Sequence, residues 1–225
     1  FKAGDAVEVS VGYNANITKF FTGFIKSVKT KFPILFEVED QVYKLKKNRL
    51  NLSLDNPKLS ELLKKIIPEG IAYEITAEQN LGQFRIKNAS TAAVLDELRK
   101  NHGIFSFFRD GVLYVGLSVN PSLQKVNRFE FNTPSLINGD SLKFIDESER
   151  KIKVICKSID NKNNTLEATA GDEDGETRTL YFNNYSLTDL QATADRLKDE
   201  LKYSGYEGNF TTFVSPLVNH GDIVE

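Results

Sequence analysis

The 225-residue chain has no Met, no Trp, a single Cys and only two His. One Cys, Cys156, excludes an internal disulfide, so oxidative cross-linking plays no part in its stability. Without Trp the sequence lacks the ring most used to stack on sugars. Phe outnumbers Tyr 16 to 8, a balance that suits cores and subunit contacts. No apolar run approaches the roughly 18 to 20 residues a membrane helix requires, and no signal peptide opens the chain. Nucleophile-elbow, Walker, H-E-x-x-H and paired-Cys motifs are also missing. The default expectation is a soluble globular protein of one to three domains, and 40% hydrophobic residues suffice for real cores. Phe1 falls in what reads as the middle of an element, and Ile223-Val224-Glu225 reads as the start of a strand. The sequence is therefore expected to be a fragment.

Charge is scarce in the sum and uneven in its placement. The formal net charge of −2 and pI near 5.9 argue against a dedicated nucleic-acid binder. Residues 1–70 carry 12 Lys and Arg against 8 Asp and Glu, and the remainder carries 17 against 23. The two parts, at +4 and −6, suit different surroundings or each other. The sharpest basic run is Lys44, Lys46, Lys47 and Arg49. No aromatic platform interleaves with it, so it reads as a solvated face.

The most legible stretch is Leu81–Gly116. Phe84 and Ile86 alternate with polar neighbours as in a half-buried strand. Ser90 can cap a helix with an apolar stripe at Ala92, Val94, Leu95 and Leu98, and Gly103 can end it. Asp110-Gly111 between Ile104–Phe108 and Val112–Val115 is a strong hairpin signal. The unit is βαββ.

Before it, residues 1–50 read as short strands with turn punctuation: around Val7–Val11, Phe20–Val28, Ile34–Val38 and Gln41–Leu45. They suggest a small antiparallel barrel or sandwich missing its first strand. Asn56 as a cap and Pro57 at the first helical position introduce a helix with Leu59, Leu62, Leu63, Ile66 and Ile67 on one face. Pro68-Glu69-Gly70 stops it, and Ile71–Ile75 is a strand candidate. After Asn120-Pro121, strands are expected at Lys125–Phe131 and Leu142–Phe144. Lys151–Ala170 reads as one hairpin turning at Asp160–Asn164, and Asp172–Gly175 turns into a strand at Thr177–Phe182. Ser186 with Asp189 three residues on resembles a capping box, opening a helix through Leu187, Leu190, Ala194, Leu197 and Leu201 that Gly205 closes. The fold class expected is α+β: two mainly antiparallel β-barrel-like domains, 1–54 and 121–225, flanking a small βαββ domain at 55–120. Both flanking domains are expected to be truncated, at the N- and C-terminal ends respectively. Gly4-Asp5-Ala6-Val7-Glu8 and Gly221-Asp222-Ile223-Val224-Glu225 share G-D-x-V-E, an internal echo that suggests two related β regions with one strand order.

Three stretches carry a resemblance. They are GDAVEVSVGYNANITKFFTGFIKSV with FEVEDQVYKLKK at Phe36–Lys47, then Ala92–Gly116 with its F-F-R-D-G-x-L-Y-V-G hairpin, and LKYSGYEGNFTTFVSPLVNHGDIVE. In order and spacing the chain resembles the baseplate hub or tail proteins of contractile phages. This is the late control gene D family, which includes Mu-like tail proteins and the hub part of the type VI secretion spike. The resemblance implies a structural protein that joins the tail tube to the central spike. It implies a homotrimer whose six barrels form a pseudo-sixfold ring, with tube and spike proteins as partners. DNA would pass only through the assembled channel, without specific nucleic-acid binding. The implied location is the virion baseplate, after synthesis in the bacterial host cytoplasm. The βαββ unit also resembles small periplasmic domains of secretin-like proteins, which keeps open a peptidoglycan- or glycan-binding module of a secretion-type machine.

No enzyme is expected, and no catalytic, cofactor or metal residues are assigned. His102 next to Gly103 reads as a partly charged imidazole favouring a helix C-terminus, and His220 falls in a turn far away in sequence. Cys156 lies in an alternating strand and reads as a buried thiol. Asp172-Glu173-Asp174-Gly175-Glu176 lacks the D-x-D-x-D-G spacing and distal Glu of a calcium loop, and reads as a solvated turn.

Overall fold

The computed structural model describes residues 1–13, 15–130, 136–138, 141–159, 164–183, 185–212 and 216–225. It is α+β and dominated by sheet. Strands β1 (Ala6–Tyr13), β2 (Asn16–Lys29) and β3 (Leu35–Glu39) form an antiparallel meander in that order. Val7 sits opposite Gly23, and Val28 opposite Phe36. Gly23 permits a close approach of β2 to β3, since a Cβ there would lie 2.1 Å from the carbonyl oxygen of Glu39. The expected fourth strand at Gln41–Leu45 is instead a short helix, α1 (Val42–Leu45). The Asp40 carboxylate accepts from the Val42 N–H and starts the turn, while Leu45 is wholly buried in the central core. Among the described residues this sheet is open, where a barrel was expected.

Strand β4 (Leu50–Leu54), which no sequence signal announced, pairs antiparallel with β6 (Phe84–Ala89), Leu52 opposite Ile86. Between them lie α2 (Leu59–Ile66) and β5 (Tyr73–Ile75). Asn56 does not cap α2: it takes φ +48°, and the N-cap position is Lys58, which offers no side-chain bond. The free N–H groups go to a distant loop, Leu59 donating to the Gln79 carbonyl at 2.9 Å and Ser60 to the Glu78 carboxylate at 3.0 Å. The helix ends as expected near Pro68, with Ile67 at the C-cap.

The βαββ unit is present as β6, α3 (Thr91–His102), β7 (Phe105–Arg109) and β8 (Val112–Gly116). Ser90 accepts from the Ala93 N–H at 3.2 Å, and Gly103 closes the helix at φ +61°. Asp110 and Gly111, at φ +52° and +82°, make the two-residue turn that matches strand twist. β5 adds parallel to β8 on the side away from β7. Leu59, Leu62, Leu63 and Ile66 of α2 meet Val94, Leu95 and Leu98 of α3 and Leu113 and Val115 of β8 in one core. Leu50, Leu52 and Leu54 of β4 pack against it.

The remaining strands are β9 (Val126–Asn127), β10 (Leu136–Asn138), β11 (Lys143–Ile145), β12 (Ile152–Ile159), β13 (Thr165–Gly171), β14 (Glu176–Asn183), β15 (Gly205–Glu207), β16 (Thr211–Thr212) and β17 (Ile223–Val224). The sheet order β13-β12-β14 has β12 and β13 antiparallel, the expected hairpin, and β14 parallel to β12. Residues 160–163 of its turn lie outside the described residues. The connection from β13 to β14 hooks tightly over the start of β12. A Cβ on Gly171 would sit 2.1 Å from the Ile152 carbonyl oxygen, and one on Gly175 2.6 Å from the Ile152 backbone. Helix α4 (Leu187–Leu201) lays Leu190, Ala194 and Leu197 on this sheet against Val154, Cys156, Ala168 and Phe182. Ser186 caps it, accepting from Asp189 N–H at 3.1 Å. It ends at Lys202 rather than Gly205, because the Lys202 ammonium is held by Asp172 at 2.8 Å while Gly205 opens β15. The pairs β11–β15 and β10–β16 are antiparallel and β9–β17 is parallel, so the described residues of this region form small sheets and no closed barrel.

Candidate functional site

Three places gather polar chemistry, and each begins with residues singled out from sequence. The first is His102. Its imidazole is buried, and burial lowers its pKa to about 4, so it is neutral at neutral pH. The charged-imidazole reading is therefore overturned. The cation at the end of α3 is Arg196 of α4, which donates to the carbonyls of Gly103 at 3.2 Å and His102 at 3.4 Å. The His102 ring lies between Phe84, Phe182 and Tyr185. Gln79 donates to the Tyr185 hydroxyl at 2.9 Å, and that hydroxyl lies 3.3 Å from His102 Nδ1. The result is a polar junction between the central core and the β12–β14/α4 core.

The second place is the repeated G-D turn. Gly4 and Gly221 both take positive φ, +96° and +84°. Asp5 N–H donates to the Lys2 carbonyl at 3.2 Å and Asp222 N–H to that of Asn219 at 3.1 Å. In return each carboxylate accepts from the same backbone N–H, Lys2 or Asn219, at 2.9 Å. The echo is thus a real local repeat of conformation and hydrogen bonding. It stops there: β1 continues antiparallel to β2, whereas β17 runs parallel to β9. Asp222 also receives Arg109 of the D-G hairpin at 2.9 Å, with side chains 0% and 7% exposed. Burial alone would raise the Asp222 carboxyl, yet the backbone N–H groups of Asn219 and Lys125 and the Arg109 guanidinium hold it below the usual carboxylate range. His220, beside it, directs Nε2 to the Ser118 carbonyl at 2.8 Å and packs its ring on Phe107. The two histidines have no partner in common among these contacts. An open cleft of about 630 Å³ adjoins this turn, lined by Lys19, Phe20, Phe108, Asp110 and His220 among others.

The third place is the acidic turn. Asp172 pairs with Lys202 and Asp174 with Lys151, and Asp172 N–H donates to Ile152 O at 2.8 Å. These two aspartates hold the β13–β14 hook, and no cluster of three metal-ligating side chains occurs among the described residues. Cys156 is buried, and burial pushes its thiol up to about 11, so no thiolate forms at neutral pH. Sequence reasoning missed Gln79, Tyr185 and Arg196, which carry no motif and become partners only through folding.

The surface carries a different signal. Ile17 and Phe20 of the first sheet are 71% and 54% exposed, and Phe144 and Tyr206, paired on β11 and β15, 52% and 66%. Phe1, Phe32, Ile34 and Val126 are further exposed apolar side chains. No described helix is long and apolar enough to cross a membrane.

No protein-family model matches the chain, and no curated protein matches it by sequence. Among solved structures it is similar to the tail protein from Neisseria meningitidis MC58, with a TM-score of 0.51 and 18% identity over 79% of this chain and 60% of that one. A prophage tail protein, gp18 from Listeria monocytogenes EGD-e, aligns at TM-score 0.49 and 14% identity over 88% of this chain and 66% of that one. A Francisella PdpA-VgrG complex aligns at TM-score 0.33 and 14% identity over 76% of this chain and 28% of that one. The chain spans less than two thirds of each of these proteins. It shares the fold of the Neisseria tail protein over most of its own length.

Proposed function

We propose that this chain is a structural baseplate hub protein of a phage or phage-like tail, of the late control gene D family, joining the tail tube to the central spike. The observation that carries the reading is the distribution of apolar surface: two β regions with exposed strand residues flank a centre whose apolar residues are buried. Ile17 and Phe20 of the first sheet and Phe144 and Tyr206 of the β11–β15 pair are what a neighbour would cover in a closed ring. The shared fold with a tail protein and the repeated G-D turn support the same reading. In this reading residues 1–54, 55–120 and 121–225 are three units, the protein is a homotrimer without catalytic activity, and its place is the baseplate of the virion.

The test is the mass of the full-length protein by light scattering over a dilution series. A trimer mass that persists on dilution is the expected result. A monomer at every concentration that also fails to trimerise with added tube and spike proteins would sink the hub reading, and would return attention to an envelope-binding module.

A further inference from the structure

The basic run read from sequence as a solvated face acquires a structure the sequence did not announce. Lys44, Lys46, Lys47 and Arg49 lie on α1 and the turn after it, all exposed. Phe24 of β2 stacks on Tyr43 with ring centroids 5.5 Å apart and planes at 19°. The Lys44 ammonium sits 5.1 Å from the centre of the Phe24 ring, and the Lys47 ammonium 4.3 Å from that of Tyr43. Rings hold these cations in place without neutralising them.

The nearby carboxylates are committed elsewhere. Glu39 takes Lys26 at 3.0 Å and Lys46 at 2.8 Å, and Asp40 starts α1. Among the described residues neither Lys44 nor Lys47 is in an ion pair, and Arg49 bonds to the carbonyls of Lys46 and Asn48. Among the described residues, three exposed positive charges within six residues are therefore outside any ion pair.

We propose that this basic segment binds the phosphodiester backbone of nucleic acid without reading its sequence. Lysine ammoniums are point charges suited to phosphate, whereas recognition of carboxylates on a protein favours free arginine forks, and here Arg49 has one arm tied to its own backbone. A row of exposed cations spread over six residues fits an extended polyanion better than a single phosphate. The ring faces are occupied by each other and by the lysines, so bases have nothing to stack on. Duplex and single strand should both bind, and the net charge of −6 beyond residue 70 confines binding to this end of the chain. The inference does not depend on the hub reading.

The experiment is fluorescence anisotropy of a labelled 20-base-pair duplex titrated with the full chain. With about three phosphates neutralised, affinity should fall by about 40-fold between 50 and 200 mM salt. The double variant Lys44→Gln/Lys47→Gln should lose at least tenfold at 50 mM salt, while Lys64→Gln/Lys65→Gln, the same charge change on exposed positions of α2, should bind as the parent does. Circular dichroism of both variants should match the parent. No binding at 50 mM salt, an equal loss in the control variant, or displacement of the duplex by polyglutamate as efficiently as by unlabelled duplex would each overturn the proposal, the last in favour of an acidic protein partner.

Discussion

At the scale of single residues, burial decides what each titratable group can do. His102 titrates near 6.5 when unfolded and near 4 when folded. Between those values the unfolded chain binds more protons, so stability rises with pH across that window and is lost on acidification toward pH 4. The full difference corresponds to about 3 kcal/mol. Urea unfolding at pH 7 and pH 4.5 should show the parent losing most of this amount, and His102→Gln losing clearly less over the same interval. Equal losses in the two proteins would mean that other groups carry the acid sensitivity. Asp222 acts in the same direction at lower pH, since a carboxyl held below its ordinary value contributes stability that disappears as it protonates. Much of this was half legible. Asp222, Arg109 and His102 all lie in stretches that the sequence marked, but the partners Tyr185 and Arg196 stand 83 and 94 positions from His102. No periodicity reaches that far.

At the scale of elements, local chemistry and tertiary contact divide the work. Helix α3 carries its own instructions, a Ser90 cap, an apolar stripe and a Gly103 stop, and all three hold in the structure. Helix α2 does not: its N-terminus is satisfied by residues 78 and 79, and so the Asn56-Pro57 signal pointed at the wrong residues. The four-residue α1 reads as a strand from Gln41–Leu45 alone and becomes a helix because Leu45 is drawn into the central core. The β13–β14 hook yields an element-scale test. Gly171→Ala combines a positive φ of +103° with a Cβ 2.1 Å from the Ile152 carbonyl oxygen, whereas Gly70, at φ +81°, has nothing within 4 Å of its Cβ position. Gly70→Ala should cost only the left-handed penalty, about 1 kcal/mol. Gly171→Ala should cost at least twice that in denaturant unfolding, because the backbone of β12 cannot yield without breaking its pairing. Equal costs would show that the hook relaxes freely.

At the scale of the whole molecule, the uneven burial is the main fact. A chain that buries Leu59, Leu62, Leu63, Leu98 and Val115 completely yet leaves Ile17, Phe20, Phe144 and Tyr206 in water has apolar area still to be covered. If neighbouring copies cover it, the double variant Phe20→Glu/Phe144→Glu should weaken self-association at least tenfold in sedimentation experiments. Its thermal unfolding as a monomer should shift little, because both positions are exposed. An assembly unaffected by this change would place the subunit contacts elsewhere.

The sequence by itself determined the α+β class, the βαββ unit with its hairpin turn, both capped helices α3 and α4, and the local form of the two G-D turns. These depend on contacts within a few residues, where side-chain chemistry and backbone preference act directly. Only the tertiary structure decided that β14 runs parallel to β12, that Arg196 replaces His102 as the cation at the α3 terminus, that Arg109 meets Asp222, and that Phe24 and Tyr43 lie beneath the basic run. Each of these joins residues far apart in the chain. Such pairings follow from which faces must be buried together, a condition that no single segment states.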